Sequence, residues 1–331
     1  MLWTRSVARA SCLLVLSLSF GGTTWLAAPT PAYAAASCGV TVGSGSFGAT
    51  LSPLTAGTVD TTATLNFSCS GLTPGLPISL CPNLDGGSAG GDGAGGRYLK
   101  TTGGVALPFQ IYQDSGRTQP WGSSSLLVFG AVPTITATPG AGGTINVNRT
   151  LYARVWTQAT TAPGTYSTDF TGQNFFWGLN LLSCAGITIG FGASPATFTF
   201  STTLIPDCQI ASSAVAFGTA GVLTADKDGQ GGLGVTCTSG TPYNVGLDNG
   251  LTGTGPTLRQ MKKGSEIVTY GLYKNTNRDQ PWGLVGQGAA YVSGGTGTGA
   301  SQPLTVYGRV PPQATPSPGS YTDTVVATIT Y

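Results

Sequence analysis

The hexapeptide Arg117-Thr118-Gln119-Pro120-Trp121-Gly122 returns as Arg278-Asp279-Gln280-Pro281-Trp282-Gly283, and a longer echo follows in the same order. Leu151-Tyr152-Ala153-Arg154-Val155 answers to Val306-Tyr307-Gly308-Arg309-Val310, Gln158-Ala159-Thr160 to Gln313-Ala314-Thr315, and Pro163-Gly164-Thr165-Tyr166 to Pro318-Gly319-Ser320-Tyr321. From the arginine to the tyrosine is 12 residues in both copies. Matching motifs at matching spacing mean one folding unit used twice in tandem. The expected domains are residues 35–200 and 207–331, joined near Ser201–Asp207. Trp121 and Trp282, recurring at equivalent places, are expected in the core.

With 52 glycines and only 8% charged residues, each unit is built from short strands and tight turns, because glycine costs about 1 kcal/mol inside a helix. The second half offers strands at Gln209–Phe217, Gly232–Thr238, Tyr243–Leu247, Ile267–Tyr273, Leu304–Val310 and Tyr321–Tyr331, separated by turn residues such as Asp248-Asn249-Gly250. At its end Val325, Ala327, Ile329 and Tyr331 alternate with Thr324, Val326, Thr328 and Thr330, so one face is apolar. The fold expected is all-β, two tandem immunoglobulin-like β-sandwiches.

The chain has no histidine, and Glu266 is its one glutamate. Ser-His-Asp and Cys-His mechanisms and histidine-ligated metals are thereby excluded. No enzyme activity, cofactor or metal is expected. Asp226-Lys227-Asp228-Gly229 opens like a calcium loop, but its glycine falls at the fourth position and its twelfth residue is Cys237, so a hairpin turn is expected. The glycine-rich run Asp85–Gly96 lacks the period of a calcium repeat and is expected to be a flexible loop.

Arg5 and Arg9 precede the apolar run Cys12–Phe20, and Ala32-Tyr33-Ala34 supplies small residues at signal-peptidase spacing. Residues 1–34 are therefore expected to be a signal peptide, and no later run is long enough to span a membrane. Fourteen basic residues less Arg5 and Arg9 leave 12 against 12 acidic. Nucleic acid, which requires a basic footprint, is not an expected partner.

Six cysteines follow the signal segment, and an even number in an exported chain indicates disulfides. Cys38 and Cys69 stand 31 apart near the start of one copy, Cys208 and Cys237 stand 29 apart near the start of the other. Each is expected to pair within its copy, leaving Cys81 with Cys184. The alternative, a zinc site, is poorly served by a chain without Cys-x-x-Cys.

Cys208-Gln209-Ile210, Val235-Thr236-Cys237-Thr238, Tyr270-Gly271-Leu272-Tyr273, Gln280-Pro281-Trp282-Gly283 and the closing Gly319–Val325 together resemble the spore coat protein U domain, a family that includes subunits of archaic, Csu-type chaperone–usher pili. The resemblance covers residues 207–331. It extends more loosely to the first half through Cys38, Phe47-Gly48, Cys69, Gln119–Gly122 and Leu151–Tyr166. There Asp85–Gly96 and the pair Cys81 and Cys184 depart from the pattern.

The resemblance implies a pilin-type second domain lacking its last strand, with a neighbouring subunit's segment filling the groove. The expected groove residues are Ile210, Val215, Phe217, Val325, Ala327, Ile329 and Tyr331. The partners implied are a periplasmic pilus chaperone, an outer-membrane usher and an adjacent pilus subunit. Two features agree with this. The last alternating strand ends at Tyr331, whereas the first half continues past Tyr166 into Ile187–Phe191 and then Ala196, Phe198 and Phe200, a strand able to close it in cis. The expected mature start leaves Ala35-Ala36-Ser37 before Cys38, at most about 10 Å of chain, whereas a donor strand needs five or six residues.

A subunit that receives a strand and lends none belongs at the free end of a head-to-tail fibre. The expectation is thus a two-domain tip adhesin exported through the periplasm to the cell surface, promoting attachment to an abiotic or host surface and biofilm formation. Its adhesive surface is expected from the apolar runs of the first domain, at Leu126, Leu127, Val128 and Phe129 and at Leu179, Leu181 and Leu182. The alternatives are a spore coat or extracellular matrix protein, and a secreted carbohydrate-binding protein.

Overall fold

The computed structural model describes residues 36–55, 57–172, 175–180, 183–184 and 197–331. The expected signal peptide, the run Ile187–Phe191, Ala196, Leu181 and Leu182 lie outside the described residues.

The first sandwich comprises β1 (Ser37–Val42), β2 (Gly45–Ser46), β3 (Thr58–Ser70), β4 (Ile78–Leu84), β5 (Arg97–Lys100), β6 (Ala106–Tyr112), β7 (Ile135–Ala137), β8 (Ile145–Trp156), β9 (Gly164–Phe170), β10 (Phe175–Asn180) and β11 (Phe198–Leu204). One sheet runs β1-β3-β8-β6-β5-β9-β11-β2 and the facing sheet β10-β4-β7. The second sandwich comprises β12 (Cys208–Ala216), β13 (Lys227–Cys237), β14 (Pro242–Leu247), β15 (Arg259–Lys263), β16 (Glu266–Tyr273), β17 (Ser293–Thr296), β18 (Ser301–Val310) and β19 (Ala327–Thr330). Its sheets run β12-β13-β18-β16-β15 and β17-β14-β19. The same order of pairings thus recurs, with β13, β18, β16 and β15 standing for β3, β8, β6 and β5.

Period-two patterning builds both cores. Along β3, Ala63, Leu65, Phe67 and Cys69 are buried while Thr62, Thr64 and Ser68 point outward or lie at the margin. The first core adds Phe47, Phe109, Trp121, Tyr166, Phe170, Phe198 and Phe200. The second gathers Val235, Val245, Tyr270, Leu272, Trp282, Val306 and Val310. Each such side chain contributes roughly 1.5–3 kcal/mol on burial.

All three disulfides join the pairs the repeat predicts. Cys38–Cys69 ties β1 to β3 and Cys208–Cys237 ties β12 to β13, with Cα atoms 4.0 and 4.1 Å apart. Cys81–Cys184, with Cα atoms 5.4 Å apart, fastens β4 to the segment after β10.

Several sequence expectations are corrected. Residues 226–229 do not form a hairpin turn: β13 already begins at Lys227, because Asp228 sits across from Arg309 of β18 and its carboxylate accepts from that guanidinium at 2.8 and 2.9 Å. The final strand is not continuous from Tyr321, since β19 covers only Ala327–Thr330. The strands β15 and β17 form without apolar alternation, the one being rich in lysine and the other containing Gly294-Gly295. The glycine-rich run is packed only in part: residues 85–87, Ala89 and Gly95 are buried, with the Asp85 carbonyl accepting from Arg97 Nε at 2.7 Å, whereas Ser88 and residues 91–94 are exposed.

Candidate functional site: an open sheet edge and an apolar loop

In the first sandwich β11 lies antiparallel to β9, with Thr202 opposite Tyr166, Phe200 opposite Thr168 and Phe198 opposite Phe170. Its burial alternates strictly, Phe198, Phe200, Thr202 and Leu204 facing inward. Phe200 packs on Phe47 and Phe109, with ring centroids 6.1 and 5.9 Å away. The first sandwich is closed by its own chain.

The second sandwich can be laid over the first through two fixed points. Lys100 bridges Ser167 as Lys262 bridges Thr322. The fully buried Arg97 and Arg259 each donate through Nη2 to a tryptophan carbonyl, Trp121 and Trp282. Tyr321, Asp323 and Val325 therefore occupy the places of Tyr166, Thr168 and Phe170. Successive residues of a strand direct their peptide groups to opposite edges. Thr322 turns to Lys262, exchanging bonds of 2.8 and 3.2 Å. The peptide N–H and C=O groups of Tyr321, Asp323 and Val325 face the other way and have no hydrogen-bond partner among the described residues.

Beside that edge lies a cavity of about 600 Å³. Ile210, Val215 and Phe217 line one wall, Val325 and Ala327 the other, and Leu233, Tyr270 and Val306 the floor. Five of the expected groove residues thus meet around one space. Ile329 packs on the core without lining the cavity. Tyr331 is corrected: it stands 57% exposed, beyond the last pairing of β19 with β14, and does not reach the groove. The Tyr270 hydroxyl donates to Asp323 at 2.7 Å, and Asp323 also accepts from the amide of Leu251 at 3.0 Å. Burial, reinforced by that carboxylate, raises the Tyr270 phenol well above its ordinary range.

The second candidate is a 3-10 turn at Leu127–Phe129. Leu126, Leu127 and Val128 are 47%, 79% and 44% exposed, but Phe129 is buried at 5%. Phe129 is therefore corrected from a contact residue to a foundation. Its ring lies 4.5 Å from the Arg97 guanidinium, a cation–π contact. The glycine-rich run closes over the ring, and a Cβ on Gly91 would stand 3.0 Å from it. Burial pushes the Arg97 guanidinium down to about 9, which leaves it protonated at neutral pH. Leu179 lies in β10 opposite Leu80 of β4.

The buried arginines were missed in the sequence. Arg-x-x-Lys at Arg97–Lys100 and Arg259–Lys262, ahead of each Gln-Pro-Trp-Gly, is the signal that marks them.

The profile of the Spore Coat Protein U domain matches residues 9–172 and 194–328. The chain belongs to the Spore Coat Protein U domain family. Among relatives of this Spore Coat Protein U chain, Protein U of Myxococcus xanthus is 34% identical over 152 residues, 44% of this chain and 76% of that protein. Among solved structures, the CsuC–CsuE chaperone–tip adhesion subunit pre-assembly complex from archaic chaperone–usher Csu pili of Acinetobacter baumannii shares the fold. The TM-score is 0.50 at 20% identity, over 89% of this chain and all of the matched one. The CupB6 tip adhesin of Pseudomonas aeruginosa aligns over 88% of this chain and 93% of its own, at 10% identity and a TM-score of 0.41.

Proposed function

We infer that this chain is the tip adhesin of a bacterial chaperone–usher pilus, serving surface attachment and biofilm formation. The second sandwich is the acceptor. Its groove takes an extended strand from a periplasmic chaperone and, after passage through an outer-membrane usher, from the adjacent pilus subunit. The first sandwich carries the contact surface, Leu126, Leu127 and Val128 together with Leu179, Leu181 and Leu182, and meets an abiotic or host surface.

The observation that supports this reading is the contrast between two copies of one fold. The edge that β11 covers along Tyr166, Thr168 and Phe170 is bare along Tyr321, Asp323 and Val325. Unpaired backbone beside apolar walls favours strand addition, with main-chain bonds giving affinity and alternate side chains giving specificity. The solved relative is itself a chaperone complex, and a chaperone strand suits this groove.

Immunogold labelling of assembled fibres with an antibody to the first sandwich tests the assignment. Label confined to fibre ends is expected. Label repeated along the shaft overturns it.

A further inference from the structure

We propose that the acceptor groove selects its strand by size: the incoming segment runs antiparallel to Tyr321–Val325, and its side chain opposite Asp323 is aliphatic, so the groove refuses a strand like the chain's own β11. This rests on the acceptor reading above and adds to it a direction, a register and a residue class.

The first sandwich supplies the template. Phe200 lies between two neighbours, opposite Thr168 of β9 on one side and opposite Gly45 of β2, in parallel pairing, on the other. The glycine is needed there, because a Cβ on Gly45 would stand 2.2 Å from Cε1 of Phe200.

In the second sandwich the corresponding residue is not glycine. Gly45 is the seventh residue after Cys38, and Val215 is the seventh after Cys208. Phe47 and Phe217, each ninth after its cysteine, take matching places although β12 bulges between Ser213 and Ala216 and stays paired to β13, whereas β2 pairs with β11. Phe47 meets Phe109 edge to face at 6.4 Å, and Phe217 meets Tyr270, the counterpart of Phe109, edge to face at 5.7 Å. Val215 lies within that bulge and lines the groove, and the matching aromatic contact assigns it the place where Gly45 makes way for a phenylalanine. A benzyl group opposite Asp323 collides with the Val215 side chain, whereas a shorter branched aliphatic group reaches the shared wall of Phe217 and Tyr270.

The consequence is protection against strand swapping. β11 of one copy, carrying Phe200, seats less well in the open groove of another copy, which disfavours assembly of the chain with itself through that groove.

The test uses the full chain extended at its C terminus by a flexible linker and a copy of Thr197–Leu204. The copy carries Phe200 unchanged, Phe200→Val or Phe200→Leu. Thr199 pairs with Asp169, whose counterpart is the exposed Thr324. Each fusion therefore also carries Thr199→Cys in the copy and Thr324→Cys in the edge, reporting direction and register by disulfide formation. The valine and leucine copies are expected to cross-link and to raise Tm by roughly 5 °C or more. The phenylalanine copy is expected to cross-link roughly tenfold less, the usual scale of an overpacking penalty. Val215→Gly is expected to restore it.

Equal cross-linking by the phenylalanine copy overturns the size selection and leaves the acceptor reading standing. So does a failure of Val215→Gly to rescue it. If no copy cross-links or raises Tm, the acceptor reading falls as well.

Discussion

The Arg259 guanidinium donates to the carbonyl oxygen of Trp282 at 2.8 Å, as Arg97 donates to that of Trp121 at 2.7 Å. Each arginine is fully buried and spends its other donors on neighbouring oxygens, the carbonyls of Asp248, Leu247 and Pro256 for Arg259, and the carbonyls of Asp85 and Leu84 with the Gln110 side-chain amide oxygen for Arg97. Each tryptophan in turn donates its indole N–H across the sandwich, to Val245 at 2.8 Å and to Pro82 at 2.9 Å. One cation thus pins the Gln-Pro-Trp-Gly corner to the end of the facing sheet.

Replacing Arg259 by methionine keeps much of the volume but leaves the carbonyls of Trp282, Leu247, Asp248 and Pro256 without their donor. An unsatisfied buried acceptor costs about 1–3 kcal/mol, so the expected loss is about 3 kcal/mol or more, read as a lower urea midpoint. Lysine in place of Arg259 is expected to recover only part, because an ammonium cannot match the planar fork. A midpoint unchanged in Arg259→Met contradicts the pinning role.

The duplicated Asp–Arg pairs set an acid limit on stability. Bonds from Arg309 hold the Asp228 carboxyl below the usual carboxylate range, with Arg278 adding to the effect, and Arg154 and Arg117 do the same for Asp60. As pH falls the unfolded chain takes up the protons first. The contribution is therefore complete above the ordinary carboxylate pKa of about 4 and is lost as pH drops through the lowered folded values. Tyr270 acts at the opposite end. Its raised folded pKa gives stability that is complete below about pH 10 and is lost as pH climbs from there. Thermal melts across pH are expected to fall off on both sides. Asp60→Asn with Asp228→Asn should flatten the acid limb, and Tyr270→Phe the alkaline one. Limbs unchanged in those variants would assign the pH dependence to other groups.

The tandem fold was legible because its corners are written in rigid residues: Gln-Pro-Trp-Gly, Pro-Gly-x-Tyr and the paired cysteines recur at nearly fixed spacing. The strands β15 and β17 were not legible. Arg259–Lys263 has one inward cation and two lysines where a strand usually shows alternating apolar residues, and Ser293–Thr296 is held by backbone pairing to β14 without apolar side chains of its own. The apolar walls of the groove were readable from alternation at Val325 and Ala327. The role of Phe129 was not, because nothing in Leu-Leu-Val-Phe distinguishes a side chain that sits on a buried arginine 32 residues earlier from three that face solvent.

That division within one tetrapeptide yields the sharpest test of the contact surface. Leu126, Leu127 and Val128 stand outward on a base made of Phe129, Arg97 and the glycine-rich run. Leu126→Ser with Leu127→Ser removes exposed groups and is expected to change stability by no more than about 0.5 kcal/mol. Attachment should nevertheless fall steeply, because each leucine buried against an apolar surface contributes about 1.5–3 kcal/mol and many fibres act together. Phe129→Ser should behave in the opposite order. It empties a packed site, costing about 3 kcal/mol or more in stability, and it weakens attachment only by loosening the turn. Pairing flow-cell attachment with chemical denaturation separates the two. If fibres carrying the double serine variant attach as the wild type does, the Leu126–Val128 turn is not the contact surface.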